Sequence, residues 1–333
     1  LRPGLTDTHL TDALAHAPNH HSPGRHHPPE LAGKRLDAVL ARLFPEYSRS
    51  RIQQWIEAGW VRVDDVVPRI RDKATEGAMV VVRACLDEPG DDAPQDLPLD
   101  IVHEDDSLIV IHKPAGLVVH PAVGHPRGTL VNALLHHAPE LAHLPRAGIV
   151  HRLDKETSGL LVVARTLEAH TDLVRQLQAR TVGREYLALV QGEMVAGGMV
   201  DEPIGRHPVD RKRMAVVGGG RAAVTHYRIE GRLEGFTLLR VSLETGRTHQ
   251  IRVHMAHLRH PIVGDPVYGG RLRLPAGLSD AAIEALQGFR RQALHAIRLT
   301  LVHPGHGDTV SWEAPLAEDM SRLLAVLGYA PHR

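Results

Sequence analysis

Residues 149–164 read IVHRLDKETSGLLVVA. Two apolar runs enclose a short link carrying a histidine, an arginine, an aspartate, a lysine and a glutamate. Short aliphatic runs bounded by turn residues predict buried strands. A link held between them is rigid, and catalytic groups are commonly mounted on loops fixed by such a scaffold. From spacing alone two readings stand: Asp154 caps a turn with Arg152 as its partner, or the link carries chemistry.

The same strand pattern recurs in SLIVIH (107–112) and EYLALV (185–190), and after Thr166 the residues Leu167, Val174 and Leu177 lie near helical spacing. TVGREYLALVQGEM (181–194) and AAVTHYRIEGRLEGFTLLRVSLETG (222–246) have hairpin spacing. From about residue 100 an α+β fold with a mixed, largely antiparallel sheet therefore fits better than a doubly wound parallel one.

Upstream, Leu36, Val39, Leu40 and Leu43 predict one helix, and Ser48 can cap a second bearing Ile52, Trp55 and Ile56. WVRVDDVV (60–67) then reads as strand, turn and strand. Arg49 and Arg51 sit beside the second helix's N-terminus, where free backbone N–H groups favour phosphate. The organisation expected is a disordered His/Pro-rich tail over 1–31, a helix-helix-hairpin domain over 32–83, an acidic linker over 84–99 and a catalytic domain over 100–333.

A chain of 333 residues is long enough for two domains, and with 43% hydrophobic but 3% aromatic residues its cores must be aliphatic. Cys85 is the only cysteine, which excludes an internal disulfide and thiolate metal clusters. No apolar run approaches the roughly 20 residues that span a bilayer, and no signal-peptide core is present. A soluble cytoplasmic protein is expected. Net charge is zero, yet nine acidic residues and no Lys or Arg lie between Asp87 and Asp106, leaving 39 basic against 30 acidic residues elsewhere. That asymmetry is compatible with a polyanionic partner.

A second dense stretch is LETGRTHQIRVHMAHLRHPIVGDPVYGG (243–270). As a strand it would set Gln250, Arg252 and His254 on one face, either on the surface or lining a polar site, with His249, Ile251 and Val253 on the other. His254, His257 and His260 recur every three residues, but without HExxH or an acidic ligand no metal is expected.

HRLDKETSG (151–159), GRTHQIRVH (246–254) and HPIVGDPVYGG (260–270) resemble the signatures of the RluA/RluD family of RNA pseudouridine synthases. KPAGLVVHP (113–121), REYLALV (184–190) and LHAIRL (294–299) match its other motifs in the family's order. The resemblance spans residues 100–330, and residues 34–83 resemble the S4 RNA-binding domain of many members. PRAGIVHRLDK (145–155) and VDEPIGRHPVDRKRMAV (200–216) look most like the D-type class acting on large-subunit ribosomal RNA, with the C-type class as the nearest alternative.

The resemblance implies the pseudouridine synthase fold behind a small S4 (α-L) domain. It implies isomerisation of uridine to pseudouridine in 23S ribosomal RNA, in the loop of helix 69, with no cofactor and no metal. The implied partner is large-subunit ribosomal RNA or a pre-50S particle, not a membrane, met by a monomer. Asp154 would be the nucleophile or the base at the sugar, Arg252 its cation, and Tyr186 the ring against the target base. Arg152 would fill the gap left by the flipped base, with His151, Arg247, His249 and Gln250 contacting substrate. Arg49, Arg51, Arg211, Lys212 and Arg213 would grip RNA phosphates. A degenerate enzyme that only binds RNA and a ribosomal-RNA N-glycosidase are the rival readings.

Overall fold

In the computed structural model the described residues are 20–21, 25–26, 29–44, 49–84, 93–121 and 125–330. They form two compact units, Leu1–Ala93 and Pro94–Arg333. The first contains β1 (His20–His21), β2 (Arg25–His26), α1 (Leu36–Leu43), α2 (Arg49–Glu57), β3 (Val61–Val63) and β4 (Met79–Ala84). β4 pairs antiparallel with β1, β2 and β3. The predicted apolar face of α1 meets Ile52, Trp55 and Ile56 of α2 over Val61, Val80 and Val82. One carboxylate ties the helices: Asp37, fully buried on α1, accepts hydrogen bonds from Arg35, Arg49 and Gln53. Burial alone would raise its pKa, but the Gln53, Arg35 and Arg49 hydrogen bonds overcome this and hold it at about 2.

The second unit is built on alternation. β5 (Ile101–Glu104) and β6 (Leu108–Lys113) lead through α3 (Leu130–His137) to β7 (Ser158–Ala164), α4 (Leu167–Gln178) and β8 (Gly183–Gln191). β9 (Gly198–Asp201), β10 (Ile204–Arg206), β11 (Met214–Val216), β12 (Val224–Leu233) and β13 (Phe236–Leu243) follow. α5 (Gln250–His257), α6 (Asp280–Gly288), β14 (Leu294–Val302), β15 (Thr309–Glu313) and α7 (Glu318–Val326) complete it. On β6 and β7, Ile109, Ile111, Leu161 and Val163 enter one core, while Leu108, Val110, Leu160 and Val162 enter another on the opposite face. A strand with both faces covered reads as the unbroken aliphatic run seen in the sequence.

The large sheet has the order β5-β6-β7-β14-β8-β13-β12-β9, with β15 on β14. Only β7 and β14 run parallel among its pairs, so the sheet is mixed and largely antiparallel as expected. They meet at Ser158–Gly159, immediately after the HRLD link. Gly159 has φ 115, and a Cβ there would lie 2.2 Å from the Ala296 carbonyl oxygen, so only glycine admits this approach.

Four expectations change. His20–His21 and Arg25–His26 pair with β4, and residues 29–31 form a short helical turn with Leu31 buried, so the tail reading fails for them. Pairing to a strand uses backbone groups, which a polar composition does not remove. The linker is shorter than 84–99: Gln95 binds Asn132 and Gly128 through backbone and side chain, joining the second unit. Ser48, Cys85 and residues 85–92 of the acidic stretch lie outside the described residues. On α4 the buried face is Ala169, Leu173 and Gln176, while Leu167 at the helix start is 54% exposed.

The fourth change is the largest: residues 250–254 are helix, not strand. Gln250, Arg252 and His254 are all buried, so no polar face marks their spacing. Their polar atoms are satisfied by hydrogen bonds from distant elements, which hydrophobic periodicity does not register. Among the described residues no helix is long and apolar enough to cross a membrane.

Candidate active site

The HRLD link forms no regular helix or strand, and its residues differ in burial. Leu153 enters the main core. His151 is half-buried, and its Nε2 accepts the Val162 backbone N–H. Burial, aided by the Arg184 charge, pushes the His151 pKa down to about 3, so it is neutral. Arg152, one residue on, is exposed, and no hydrogen bond or ion pair engages it among the described residues. Lys155 is pinned by its carbonyl, which accepts from Gly116 N–H and from the buried Lys113 ammonium. The loop therefore presents Asp154 from a rigid mount.

Opposite stands α5. Arg252 donates from Nη1 to Asp154 Oδ2 at 3.0 Å. Its other side grips Asp265 in two bonds, Nε to Oδ2 at 2.7 Å and Nη2 to Oδ1 at 2.9 Å. Burial works to raise the Asp265 pKa, but Arg252 and the backbone N–H groups of Tyr268 and Val267 leave it below its ordinary value. Arg252 is held charged: burial opposes this, but its bonds and charge attraction to Asp265 and Asp154 dominate. The result is a fixed cation aimed at a partly exposed carboxylate.

His249 is the N-cap of α5 with φ 57, an uncommon left-handed conformation for a non-glycine residue. Its Nε2 lies 3.9 Å from Asp154 Oδ1, and its Nδ1 is 2.9 Å from the Tyr268 hydroxyl. Burial, helped by the Arg252 and Arg152 charges, outweighs the Asp154 and Asp265 carboxylates and lowers its pKa. Tyr186, on β8, is 6% exposed in the main core. Burial raises its pKa and the Asp154 charge adds to the rise against Arg184, so the phenol keeps its proton.

The remaining sequence candidates divide. Arg247 donates to the Ala222 carbonyl, and burial together with Arg221 and Arg180 lowers its pKa, which marks a cluster of like charges. Gln250 is fully spent inside the protein, accepting from Thr245 and Arg247 N–H and donating to Val224 and Thr225. Gln250 is thus buried with its amide committed within the protein, whereas His151 is half-buried with Nε2 engaged. Arg49 is turned onto Asp37, not left free at the start of its helix. Arg51 is the third residue of α2, and its side chain lies outside the described residues. Arg211 and Lys212 are exposed on the turn between β10 and β11. Arg213, partly buried there, sits over the Tyr268 ring at 5.2 Å.

Asp265 and Tyr268 belong to HPIVGDPVYGG, but the sequence alone assigns neither a role. A signal is present there: an aspartate inside a mostly apolar motif needs a buried partner. Among the described residues one group could hold a metal, His103, Asp105 and His303. There His303 Nδ1 accepts the Gly305 N–H, so Nε2 carries the proton and donates to Asp105. A protonated Nε2 offers no lone pair, and the group acts as a clasp between strands.

A family model described as RNA pseudouridylate synthase matches residues 107–257, and one described as S4 domain matches residues 34–80. The chain is 57% identical over 300 residues to "Ribosomal large subunit pseudouridine synthase D" of Xanthomonas campestris pv. campestris, covering 90% of this chain and 91% of that protein. The protein of the same name from Pseudomonas aeruginosa is 57% identical over 300 residues, covering 90% and 94%. That of Escherichia coli strain K12 is 55% identical over 296 residues, covering 89% and 91%. Among solved structures, Human RNA Pseudouridylate Synthase Domain Containing 4 matches with TM-score 0.55 and 28% identity, over 70% of this chain and 95% of that one. Human RNA Pseudouridylate Synthase Domain Containing 1 matches in fold, with TM-score 0.51 and 24% identity over 72% and 98%.

Proposed function

The chain belongs to the RNA pseudouridine synthase family, and from that premise we propose that it isomerises uridines of large-subunit ribosomal RNA, with Asp154 as the reacting carboxylate. The observation that carries the assignment of Asp154 is the Arg252 guanidinium, clamped by Asp265 and donating to Asp154 at 3.0 Å. A carboxylate must be ionised to attack C1′ or to take a sugar proton, and a fixed cation keeps it so without neutralising it by protonation.

In the reaction the N1–C1′ bond breaks, the uracil turns, and C5 bonds to C1′. The C5 proton is lost to water and N1 gains one, so the RNA keeps its mass. Tyr186, neutral beside Asp154, offers a ring for the base to rest against and a phenol for proton transfer. A base in folded RNA must first be extruded, at about a few kcal/mol for unstacking. Arg152, exposed and unengaged among the described residues, is suited to stack in the vacated gap.

The relatives' printed names support the large-subunit target. The loop of helix 69 is the finer proposal: unpaired bases are cheaper to extrude, which favours a loop in general, and the resemblance to the D-type class alone selects this one. In this reading the S4 unit, with Arg51, and the exposed Arg211 and Lys212 supply phosphate contacts, and the chain works in the cytoplasm as a monomer on naked RNA or a pre-50S particle. The test is twofold. Asp154→Asn is expected to abolish tritium release from 5-tritiated uridine in bound RNA while leaving affinity intact; near-normal turnover overturns the assignment. Site-resolved mapping in a deletion strain is expected to show loss at the helix 69 loop. Loss at other 23S uridines instead replaces the D-type reading with the C-type one.

A further inference from the structure

The turn between β10 and β11 carries the exposed Arg211 and Lys212, yet its base is wired to the catalytic carboxylate. Met214 N–H, on β11, donates to the Tyr268 hydroxyl at 2.9 Å. Tyr268 is 8% exposed and shares a small apolar cluster with Ile204 of β10 and Val253 of α5, with Met214 packed against it. The Arg213 guanidinium lies 5.2 Å from its ring centroid and that of Arg252 lies 5.0 Å away. Its backbone N–H donates to Asp265, the clamp on Arg252.

The hydroxyl also decides which nitrogen of His249 carries the proton. Tyr268 Oη is 2.9 Å from His249 Nδ1, and His249 Nε2 is 3.9 Å from Asp154 Oδ1. If Nδ1 carried the hydrogen, the phenol O–H would have no acceptor among the described residues, and the Nε2 lone pair would face the carboxylate. Both costs vanish when Tyr268 O–H donates to Nδ1, which places N–H on Nε2 toward Asp154. The Met214 bond uses the phenol oxygen as an acceptor and leaves its single hydrogen for this purpose.

We propose that Tyr268 is a positioning residue that sets the His249 tautomer against Asp154 and ties the seating of the basic β10–β11 turn to the order of the catalytic site. The proposal rests on the reading of Asp154 as the reacting group and of this turn as an RNA contact. Met214 can donate to Tyr268 only while the hairpin is docked. RNA that grips the turn thereby favours the state in which His249, Arg252 and Asp154 are aligned.

The test uses Tyr268→Phe in the full chain, which keeps the ring and removes only the hydroxyl. Nitrogen NMR of the free protein with isotope-labelled histidine, the resonance assigned by its loss in His249→Gln, is expected to show the Nε2–H form in wild type and a mixture of forms in Tyr268→Phe. This readout needs no RNA, so it fails or succeeds independently of the substrate assignment. With saturating RNA the single-turnover rate is expected to fall about tenfold, the rate equivalent of one hydrogen bond, with Kd held within about twofold. In the His249→Gln background the same substitution is expected to cost nothing further, because its effect passes through His249. An unchanged tautomer in Tyr268→Phe overturns the proposal. So do losses that add in the double variant, or a raised Kd with an unchanged rate, which would make Tyr268 a prop for the hairpin alone.

Discussion

Asp265→Asn is the sharpest probe of the buried ion triad, because it removes one charge and almost no volume. Asp265 has a fully buried side chain, and Arg252 is 4% exposed. The amide can still accept one hydrogen bond, but its NH₂ group then faces the guanidinium that the second carboxylate oxygen had accepted. Breaking a buried pair by neutralising one partner costs about 3–5 kcal/mol, and Arg252 keeps Asp154, so the lower end, about 3 kcal/mol, applies. For a unit of this size that corresponds to a fall in Tm of about 6–12 °C. Arg252 also loses its second anchor, and a displacement of about 1 Å at a reacting group can cost about 100-fold in rate.

The pH dependence carries a sign. The Asp265 carboxyl is held below its ordinary value in the folded protein. Its stabilisation is therefore fully present above the unfolded value of about 3.9 and is lost as pH falls through the lower folded value. Scanning calorimetry across pH is expected to show a constant gap between wild type and variant near neutrality that narrows below about pH 4. A variant that melts with wild type and turns over at the wild-type rate refutes the role of Asp265 as the clamp on Arg252.

Three further outcomes follow from the same geometry. Tyr186→Phe keeps the ring, so RNA affinity is expected to hold while single-turnover tritium release falls by about 100-fold if the phenol transfers a proton; an unchanged rate limits Tyr186 to stacking. Gln250→Ala leaves several buried donors and acceptors unmet and is expected to cost about 3 kcal/mol of stability without altering RNA affinity. Weakened binding at unchanged Tm would return Gln250 to the substrate surface. Deleting residues 34–83 is expected to flatten the salt dependence of binding by about 0.7–0.9 in log–log slope for each phosphate no longer neutralised, and an unchanged slope would show that the S4 arginines do not touch RNA.

Strands β6, β7 and β8 were legible in the sequence as short aliphatic runs bounded by turn residues, and helix α1 through the apolar period of the face it turns to its core. Asp154, Tyr186 and Arg252 were singled out through their resemblance to a family, and the structure places Arg252 against Asp154. The helical state of residues 250–257 was not, since Gln250, Arg252 and His254 are buried alongside Ile251 and Val253. Burial on every side erases the contrast between faces from which period is read. Likewise the motifs suggest His151 and Gln250 as substrate contacts but do not reveal their hydrogen bonds to Val162, Val224 and Thr225, which come from other elements.

Local sequence was enough for most of the elements, the division into two units and the chemical types gathered in the motifs, all of which depend on neighbours along the chain. Tertiary structure alone decided which of those groups act together. Arg252 reaches Asp154 across 98 positions, and Asp265 and Tyr268 gain roles only when HPIVGDPVYGG packs against α5. A charge acts over a few ångströms of low-dielectric space rather than along the backbone, so the pairing that holds Arg252 against Asp154 exists only once the fold has brought them together.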